Sequence, residues 1–349
     1  MDRTATYTYL ERLIIAAGAA TLAIALVPRG GEPAEVGPAT IALHEPQRVA
    51  PPPPIVARQE VVAAPATRDV SLVFTAGGAA WIKLAEVEVA PRHGKVVLTE
   101  DDYVVSAIAP IAEANIPAKH RSWLGKRVVV DGTCTARVTS IAVVSRLTGD
   151  PSYAGVEAAD DKWTASSAFQ SGIKLVAAKL DNCAGGTLAR SANLAPIVIP
   201  SEIQDESLAA AGLAALQASP DVKAGAKEWK ELQQKGNWTD DEYTQKSVRV
   251  VRHPTTGVTW VSAHFYHGGG CGAPNLSAWG LYRVGDDGTL VRVKASLGEL
   301  TSIEKLVDLD NDGELEVLGR PWLGTERAVQ ASDGATLDTL ALPYFFCPC

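Results

Sequence analysis

The segment from Asp308 to Glu316 concentrates side chains that could bind a metal ion. Counted along the segment, carboxylates stand at positions one, three, five and nine, which are Asp308, Asp310, Asp312 and Glu316. Position six is a glycine, as a sharp turn requires, and position seven is Glu314, whose backbone carbonyl could be a further ligand. Calcium takes about six to eight oxygen ligands, and alternate carboxylates of a tight loop supply them. These five acidic residues are therefore predicted to bind Ca2+.

The residues around the acidic loop exclude an EF-hand. That motif needs a bidentate glutamate at position twelve and a helix on each side, whereas position twelve here is Gly319 and the flanks have the pattern of strands. A hairpin turn without metal is the alternative, but repulsion among the clustered carboxylates disfavours it. A calcium ion here is expected to be structural. Its removal should loosen the C-terminal β domain and leave the N-terminal β domain almost unchanged.

The segment from Lys305 to about Leu340 resembles the calcium-binding strand-loop-strand unit of FG-GAP and VCBS-type repeats. The resemblance rests on Leu306-Val307 before the acidic loop, Val317-Leu318 after it, and the turn Ser332-Asp333-Gly334 between two later strands. Such repeats occur in integrin-like β-propellers and in many exported bacterial proteins. The chain contains a single unit, whereas a propeller needs at least about four blades, so the resemblance implies the calcium hairpin and not the propeller.

Two histidines and a cysteine lie close together in the sequence, at His264, His267 and Cys271. These residue types are competent zinc ligands. Residues three apart on a strand face opposite sides, however, and the triple glycine Gly268–Gly270 rules out a helix that would bring them together. They nevertheless define the alternative function, an exported hydrolase, possibly metal-dependent, that uses His264, His267 or Cys271. The remaining histidines, including His253, have no carboxylate partner evident in the sequence.

The N-terminal residues have the pattern of an export signal. Leu13 to Val27 contains no charged residue and follows Arg3 and Arg12. Residues 1–27 are therefore predicted to be a signal anchor, which would hold the protein in a membrane, or a cleaved signal peptide. Residues 28–69 contain nine of the 21 prolines and are predicted to form a proline-rich linker.

All five cysteines follow the linker, at Cys134, Cys183, Cys271, Cys347 and Cys349. In an exported protein this distribution predicts disulfides formed in an oxidising compartment. Proximity in the sequence suggests that Cys134 pairs with Cys183, and that Cys271 pairs with Cys347 or Cys349. The folded part is thus expected outside the cytoplasm, in the periplasm, at the cell surface, or secreted if the signal is cleaved.

Hydrophobic periodicity then divides the remaining chain into three parts. Residues 70–200 contain short β-type runs punctuated by glycines and predict a β-rich domain. Residues 201–246 predict a helical hairpin. Its first helix should begin with a capping box at Ser201 and Gln204, and should bury one apolar face. That face consists of Ile203, Leu208, Ala211, Ala215 and Leu216.

The second helix of the hairpin should begin at Ser219 as N-cap, with Pro220 in the first helical position, and should end at Gly236. Its predicted buried residues are Val222, Ala226, Trp229 and Leu232. Residues 247–349 alternate again and predict an antiparallel meander of about eight short strands. The predicted fold class is therefore mainly β with a helical hairpin insert (α+β). It comprises two small β-rich domains after the N-terminal apolar helix and linker.

Composition and charge restrict the function further. The net charge is -8, and no Lys/Arg-rich stripe interleaved with aromatic residues is present, which argues against binding of nucleic acid. Hydrophobic residues make up 46% of the chain, as in a globular protein. The leading hypothesis is a calcium-binding structural or interaction protein of the cell envelope, tethered to the membrane by its N-terminal helix. Its partner would be another protein or a component of the envelope.

Overall fold

The computed structural model describes residues 69–88, 95–101, 103–156, 162–268, 275–294, 300–321, 325–331 and 335–346. The predicted signal segment, almost all of the proline-rich linker, the turn at 332–334, and Cys271, Cys347 and Cys349 lie outside these residues. The described part is mainly β, with several antiparallel sheets and four α-helices, so the predicted fold class is confirmed at this level. No helix within the described residues is long and apolar enough to cross a bilayer.

The first sheet contains most of the strands between residues 70 and 191, joined by one short strand from the C-terminal end. Its members are β1 (Val70–Ala76), β2 (Ala79–Glu86), β3 (Val97–Asp101), β4 (Val104–Pro110), β5 (Arg127–Val130), β6 (Cys134–Gly149), β7 (Ile173–Leu180), β8 (Leu188–Ser191) and β18 (Tyr344–Phe345). Their order is β3-β4-β6-β5-β8-β1-β2-β7, and β7 also pairs with the long strand β6. Six antiparallel strands therefore close into a ring, and β3 and β4 extend from it as a hairpin.

The second sheet is antiparallel and carries the helical hairpin on one face. Its strands are β9 (Ser201–Glu202), β10 (Thr244–Arg252), β11 (Thr259–Gly268), β12 (Asn275–Val284) and β13 (Leu290–Lys294), in the order β13-β12-β11-β10-β9. The helices of the chain are α1 (Ala118–Arg121), α2 (Ala165–Ser171), α3 (Glu206–Gln217) and α4 (Pro220–Glu231). A shared apolar cluster joins α3 and α4 to the second sheet, with Leu216 and Trp229 packed near Val261 and Phe265.

The third sheet is the central layer between the other two. Its strands are β14 (Leu300–Val307), β15 (Glu316–Pro321), β16 (Thr325–Gln330) and β17 (Thr336–Ala341), in sequential order. Because successive residues of a strand face opposite sides, Val307 and Leu318 pack toward the first sheet, whereas Leu306 and Val317 pack toward the second. Two apolar cores thus share this sheet.

The eight strands β10 to β17 are antiparallel, as predicted, but they do not form one meander. They divide between the second and third sheets, and the division falls between β13 and β14. The hairpins predicted around residues 253–258, 285–288 and 308–315 are all present. The local turn signals were therefore correct, and the pairing of hairpins with one another was not predicted.

The helical hairpin is confirmed with three corrections. Ser201 lies in β9 and does not cap a helix, because the N-cap of α3 is Asp205, whose side chain accepts a hydrogen bond from Leu208 N at 2.9 Å. Ala211 is exposed, and the neighbouring Gly212 faces the sheet instead. Leu232 is the C-cap residue and is 48% exposed, since α4 ends at Glu231 and not near Gly236 as predicted.

The start of α4 is as predicted. Ser219 Oγ accepts a hydrogen bond from Val222 N at 3.3 Å, and Pro220 occupies the first turn. Val222 and Trp229 are buried, and Ala226 is partly buried against the same core.

Candidate metal centre

The acidic loop joins β14 to β15, as the sequence predicts, and folds around the carboxylate of Asp308. Asp308 Oδ1 accepts a hydrogen bond from Asn311 N at 2.6 Å, and Oδ2 accepts one from Gly313 N at 2.9 Å. Asn311 and Gly313 both have positive φ, 62° and 89°, which glycine adopts without steric cost and asparagine tolerates. The tight turn therefore depends on the short asparagine side chain and on the glycine at position six.

Three carboxylates converge inside this loop. Single carboxylate oxygens of Asp308, Asp310 and Glu316 all lie within 4.8 Å of one another. Asp308 is fully buried and Glu316 is 1% exposed, while Asp310 is partly buried. Among the described residues, this is the one group of three or more His, Cys, Asp or Glu side chains close enough to hold a metal ion.

Glu316 is the member of the group with the strongest change in acidity. Burial raises the pKa of its carboxyl to about 7, and the negative charges of Asp310, Asp312 and Asp308 act in the same direction. A hydrogen bond from Leu309 N to Glu316 Oε2, at 2.8 Å, opposes the increase in pKa by stabilising the ionised form. A nearby cation would favour the same ionised form.

The other two predicted ligands lie differently. Asp312 Oδ1 accepts a hydrogen bond from Glu314 N at 2.8 Å, and Asp312 is not part of the group of three. The side chain of Glu314 lies 3.8 Å from Arg283 Nη1. The predicted ligand atom of Glu314 is its backbone carbonyl oxygen and not this side chain. The ligand roles of Asp312 and Glu314 stay predictions.

His253 contacts the loop, which the sequence analysis did not foresee. Its Nε2 lies 3.1 Å from Asp308 Oδ2, and both side chains are buried. The Nδ1 atom accepts hydrogen bonds from Thr255 N and Thr256 N, each at 3.2 Å. Because Nδ1 is an acceptor, the proton of the neutral ring is on Nε2, which donates to Asp308. His253 therefore orients the carboxylate and does not offer a lone pair to a metal.

Arg190 contacts the loop from the first sheet. Its Nη2 donates to the carbonyl of Leu309, and its Nη1 donates to Ala195 O at 2.8 Å. Beside it, Val198 forms a β-bridge with Asp308, through N–H···O bonds of 3.1 and 2.9 Å. The loop is therefore held by residues of the first sheet and its adjoining segment, and by His253 at the end of β10.

The charged side chains around the loop sum to a net negative charge, which a divalent cation would neutralise. When ionised, Asp308, Asp310 and Glu316 contribute three negative charges, and the buried guanidinium of Arg190 contributes one positive charge. Because Nδ1 of His253 accepts two hydrogen bonds, this ring adds no charge, so the sum for these four side chains is minus two, and Asp312 adds a further negative charge nearby. A buried cluster with this charge is unfavourable in a medium of low polarity unless a counterion compensates it.

The residues of the alternative hydrolase site do not converge. His264 Nε2 lies 3.0 Å from Ser277 Oγ, whereas His267 Nε2 lies 3.1 Å from Asp241 Oδ1 and its ring packs edge-on against Trp229. The two histidines face opposite sides of β11, as the spacing predicted. Cys271 lies outside the described residues. Burial lowers the pKa of His264 to about 4, which makes it a weak general base.

The chain matches no protein-family model, no curated protein and no solved structure. The fold and the site define a mainly β protein with an acidic hairpin loop where three sheets meet. The resemblance of residues 305–340 to FG-GAP and VCBS-type units stays a prediction.

Proposed function

We propose that the protein is an extracytoplasmic, calcium-stabilised structural or interaction protein of the cell envelope. The observation that carries the proposal is the convergence of Asp308, Asp310 and Glu316 within 4.8 Å, in a loop that contacts all three sheets. The ion would replace carboxylate repulsion with attraction at this junction. Asp312 and the carbonyl of Glu314 are the proposed additional ligands.

The donor atoms favour calcium over transition metals. Every candidate ligand is an oxygen, and hard cations prefer oxygen ligands. The nearest imidazole, on His253, already uses one ring nitrogen as an acceptor and the other as a donor. Calcium also accepts the irregular geometry of a loop more readily than magnesium, which requires a near-ideal octahedron.

The burial of the carboxylates argues for a structural role. Asp308 and Glu316 are almost completely shielded from solvent, so the side of an ion that these two residues bind would be closed to a substrate. An ion that binds only the folded state stabilises it by about 2.7 kcal/mol when its concentration is a hundred times Kd. Calcium concentrations outside cells make weak sites useful, with Kd of about 10⁻⁴ to 10⁻³ M.

The proposed location follows from the export signal and the cysteines. The apolar run Leu13–Val27 and the linker would tether the folded part to a membrane, or release it if the signal is cleaved. The predicted pairing of Cys134 with Cys183 is present, and a disulfide is typical of oxidising compartments. The partner would be a protein or another component of the envelope.

Calcium titration of the full-length protein tests the metal proposal. We expect binding by calorimetry and an upward shift of the melting temperature in millimolar calcium relative to chelator. Asp310→Ala should abolish both, because alanine offers no oxygen at position three of the loop. Asp286→Ala is the matched control, since Asp286 lies in another acidic hairpin turn, between β12 and β13. Superimposable melting curves of the unmutated protein with calcium and with chelator would contradict the proposal.

A further inference from the structure

A second polar site lies between the second and third sheets, away from the acidic loop. It is a cavity of about 270 Å³. Side chains of β10 and β11 line one side, and the beginning of β14 lines the other. The lining includes Ser247, Arg249, Ser262, His264, Tyr266 and Thr301.

The polar lining interrupts what is otherwise an apolar interface between the two sheets. Ser247 pairs with His264, and Arg249 pairs with Ser262, so these four side chains share one face of the sheet. Further along the same two strands, Val251 and Trp260 belong to the apolar core that the third sheet covers. Polar groups are costly between packed sheets unless they have partners. Here they have partners within the protein, and their concentration at one end of the interface lines a polar cavity suited to a polar molecule.

Two of these polar side chains are almost completely buried. His264 is 6% exposed and Ser262 is 4% exposed. Ser262 Oγ accepts a hydrogen bond from Trp279 Nε1 at 2.9 Å, which fixes its position. The His264 ring is held by Ser277 through Nε2, and in the part of the chain that the structure describes Nδ1 has no hydrogen-bond partner. Because burial lowers its pKa to about 4, the ring is neutral near pH 7 and offers Nδ1 to a ligand.

The charged groups around the cavity are cationic. Arg249 lies at the rim, with its side chain 42% exposed and Nη1 donating to Glu304 O at 3.0 Å. Lys246 also borders the cavity and pairs with Asp240 at 3.1 Å. No carboxylate is among the described lining residues. The acidic groups that pair with these two cations are Asp240 and Glu202, the latter 3.7 Å from Arg249 Nε, and the carboxylate of Glu304 binds Arg320 and Arg327.

We propose that this cavity binds a small polyhydroxylated carboxylate, of the size and chemistry of a single hexuronate ring. Arg249 would pair with the carboxylate, since a guanidinium offers a fork of N–H donors that matches two carboxylate oxygens. The hydroxyl of Ser247 and the ring of His264 would bind hydroxyls of the ligand, and Thr301 Oγ1, which donates to Arg320 O at 3.1 Å, would act as an acceptor. The volume is near the lower end of ligand pockets, about 300–1,000 Å³, so one ring fills it. The inference does not depend on the calcium proposal.

Ligand binding to the full-length protein tests this inference, with saturation-transfer NMR and calorimetry as readouts. The probes are D-glucuronate, D-glucose and inorganic phosphate, each added in the presence of calcium. We expect D-glucuronate to bind with an affinity at least tenfold higher than D-glucose, because charge-assisted hydrogen bonds to Arg249 form only with the acid. Phosphate should not displace D-glucuronate at equal concentration.

Two variants locate the site. Arg249→Gln should lower the affinity for D-glucuronate about tenfold or more, to that of D-glucose. Arg252→Gln, an exposed arginine on the same strand, is the matched control and should leave binding unchanged. Ser247→Trp should abolish binding, because the indole would fill the cavity from its exposed edge. This variant tests the location of the site even if Arg249→Gln fails to fold. Absence of D-glucuronate binding, equal binding of D-glucose, equal competition by phosphate, or unchanged binding in Ser247→Trp would each overturn the inference.

Discussion

At the scale of single residues, the carboxyl of Glu316 links calcium binding to pH. Burial raises its pKa to about 7 in the metal-free fold, above the ordinary value of 4.5. In the unfolded chain this glutamate is ionised above pH 4.5, so between pH 7 and 4.5 the fold binds a proton that the unfolded chain does not. This group therefore destabilises the metal-free fold above pH 7, and the destabilisation disappears as the pH falls toward 4.5.

Calcium binds the ionised carboxylate, so the affinity for calcium falls as the pH falls, whereas the stability contribution of this group to the metal-free fold rises. Because a proton competes with the ion below pH 7, the apparent Kd for calcium should rise about tenfold between pH 8 and pH 6. Calorimetric titration at these two pH values measures the change. Glu316→Gln should bind calcium more weakly but with little dependence on pH, since the competing proton is lost. An equally steep pH dependence in Glu316→Gln would show that another group titrates.

At the scale of secondary-structure elements, the contact of α3 with β11 explains why a glycine interrupts an alanine-rich helix. A Cβ atom on Gly212 would lie 2.4 Å from Val261 Cγ1, well inside van der Waals contact. The helix approaches the sheet this closely because the residue has no side chain. Periodicity predicted that Ala211 would be buried, but the closest approach falls one residue later.

Two substitutions with opposite changes at neighbouring positions test this contact. Gly212→Ala should destabilise the protein by about 1–3 kcal/mol, because the methyl group overpacks against Val261 and outweighs the better helix propensity of alanine. Ala211→Gly, at the exposed neighbouring position, should also destabilise, by about 1 kcal/mol, through helix propensity alone. Urea unfolding measures both. Stabilisation by Gly212→Ala would mean that propensity decides at this position and that the helix is not in close contact with β11.

At the scale of the whole molecule, the acidic loop connects regions that are far apart in the sequence. Arg190 and Val198 contact it from the first sheet and its adjoining segment, and His253 contacts it from the end of β10. These contacts change the expectation that calcium would affect the C-terminal β domain alone. An ion in the loop should stabilise all three sheets together.

Amide hydrogen exchange can measure how far this stabilisation extends. Calcium should slow exchange in the loop 308–316 and also in β8 and in the turn 253–258, because their side chains contact the loop directly. The β3–β4 hairpin, at the other end of the first sheet, is the internal control and should change least. Asp310→Ala should show none of these differences between calcium and chelator. Protection confined to residues 300–341 would mean that the three sheets respond independently.

The disulfide is a second long connection within the molecule. Cys134 and Cys183 are separated by 49 residues, and in the chain-entropy model a link closing a loop of that length stabilises a fold by about 4 kcal/mol. The double variant Cys134→Ala/Cys183→Ala should therefore lose about 3–4 kcal/mol in urea unfolding. It leaves Cys271, Cys347 and Cys349 in place, so any change belongs to this one disulfide. A loss below about 1 kcal/mol would show that the surrounding core keeps the two ends together without it.

Local interactions were readable from the sequence, because the atoms that make them are a few residues apart. The hairpin turns, the start of α4 at Ser219 and Pro220, and the loop that folds around Asp308 all depend on hydrogen bonds between near neighbours. Turn residues and periodicity report these local contacts directly. The disulfide between Cys134 and Cys183 is not local, but it was also predicted, since both cysteines lie in the same β-rich region.

Only the tertiary structure decided which hairpins share a sheet and what surrounds the acidic loop. Ser201 has the pattern of a helix cap, but it lies in β9, where it pairs with Arg252 of β10. Asp205 caps the helix instead. His253 lies 55 residues from Asp308, and Arg190 lies 119 residues from Leu309. No local signal encodes contacts over these separations, because they form only when apolar faces pack and bring distant strands together. The sequence by itself thus pointed to the three carboxylates that converge in the acidic loop, and folding determined the residues that hold them.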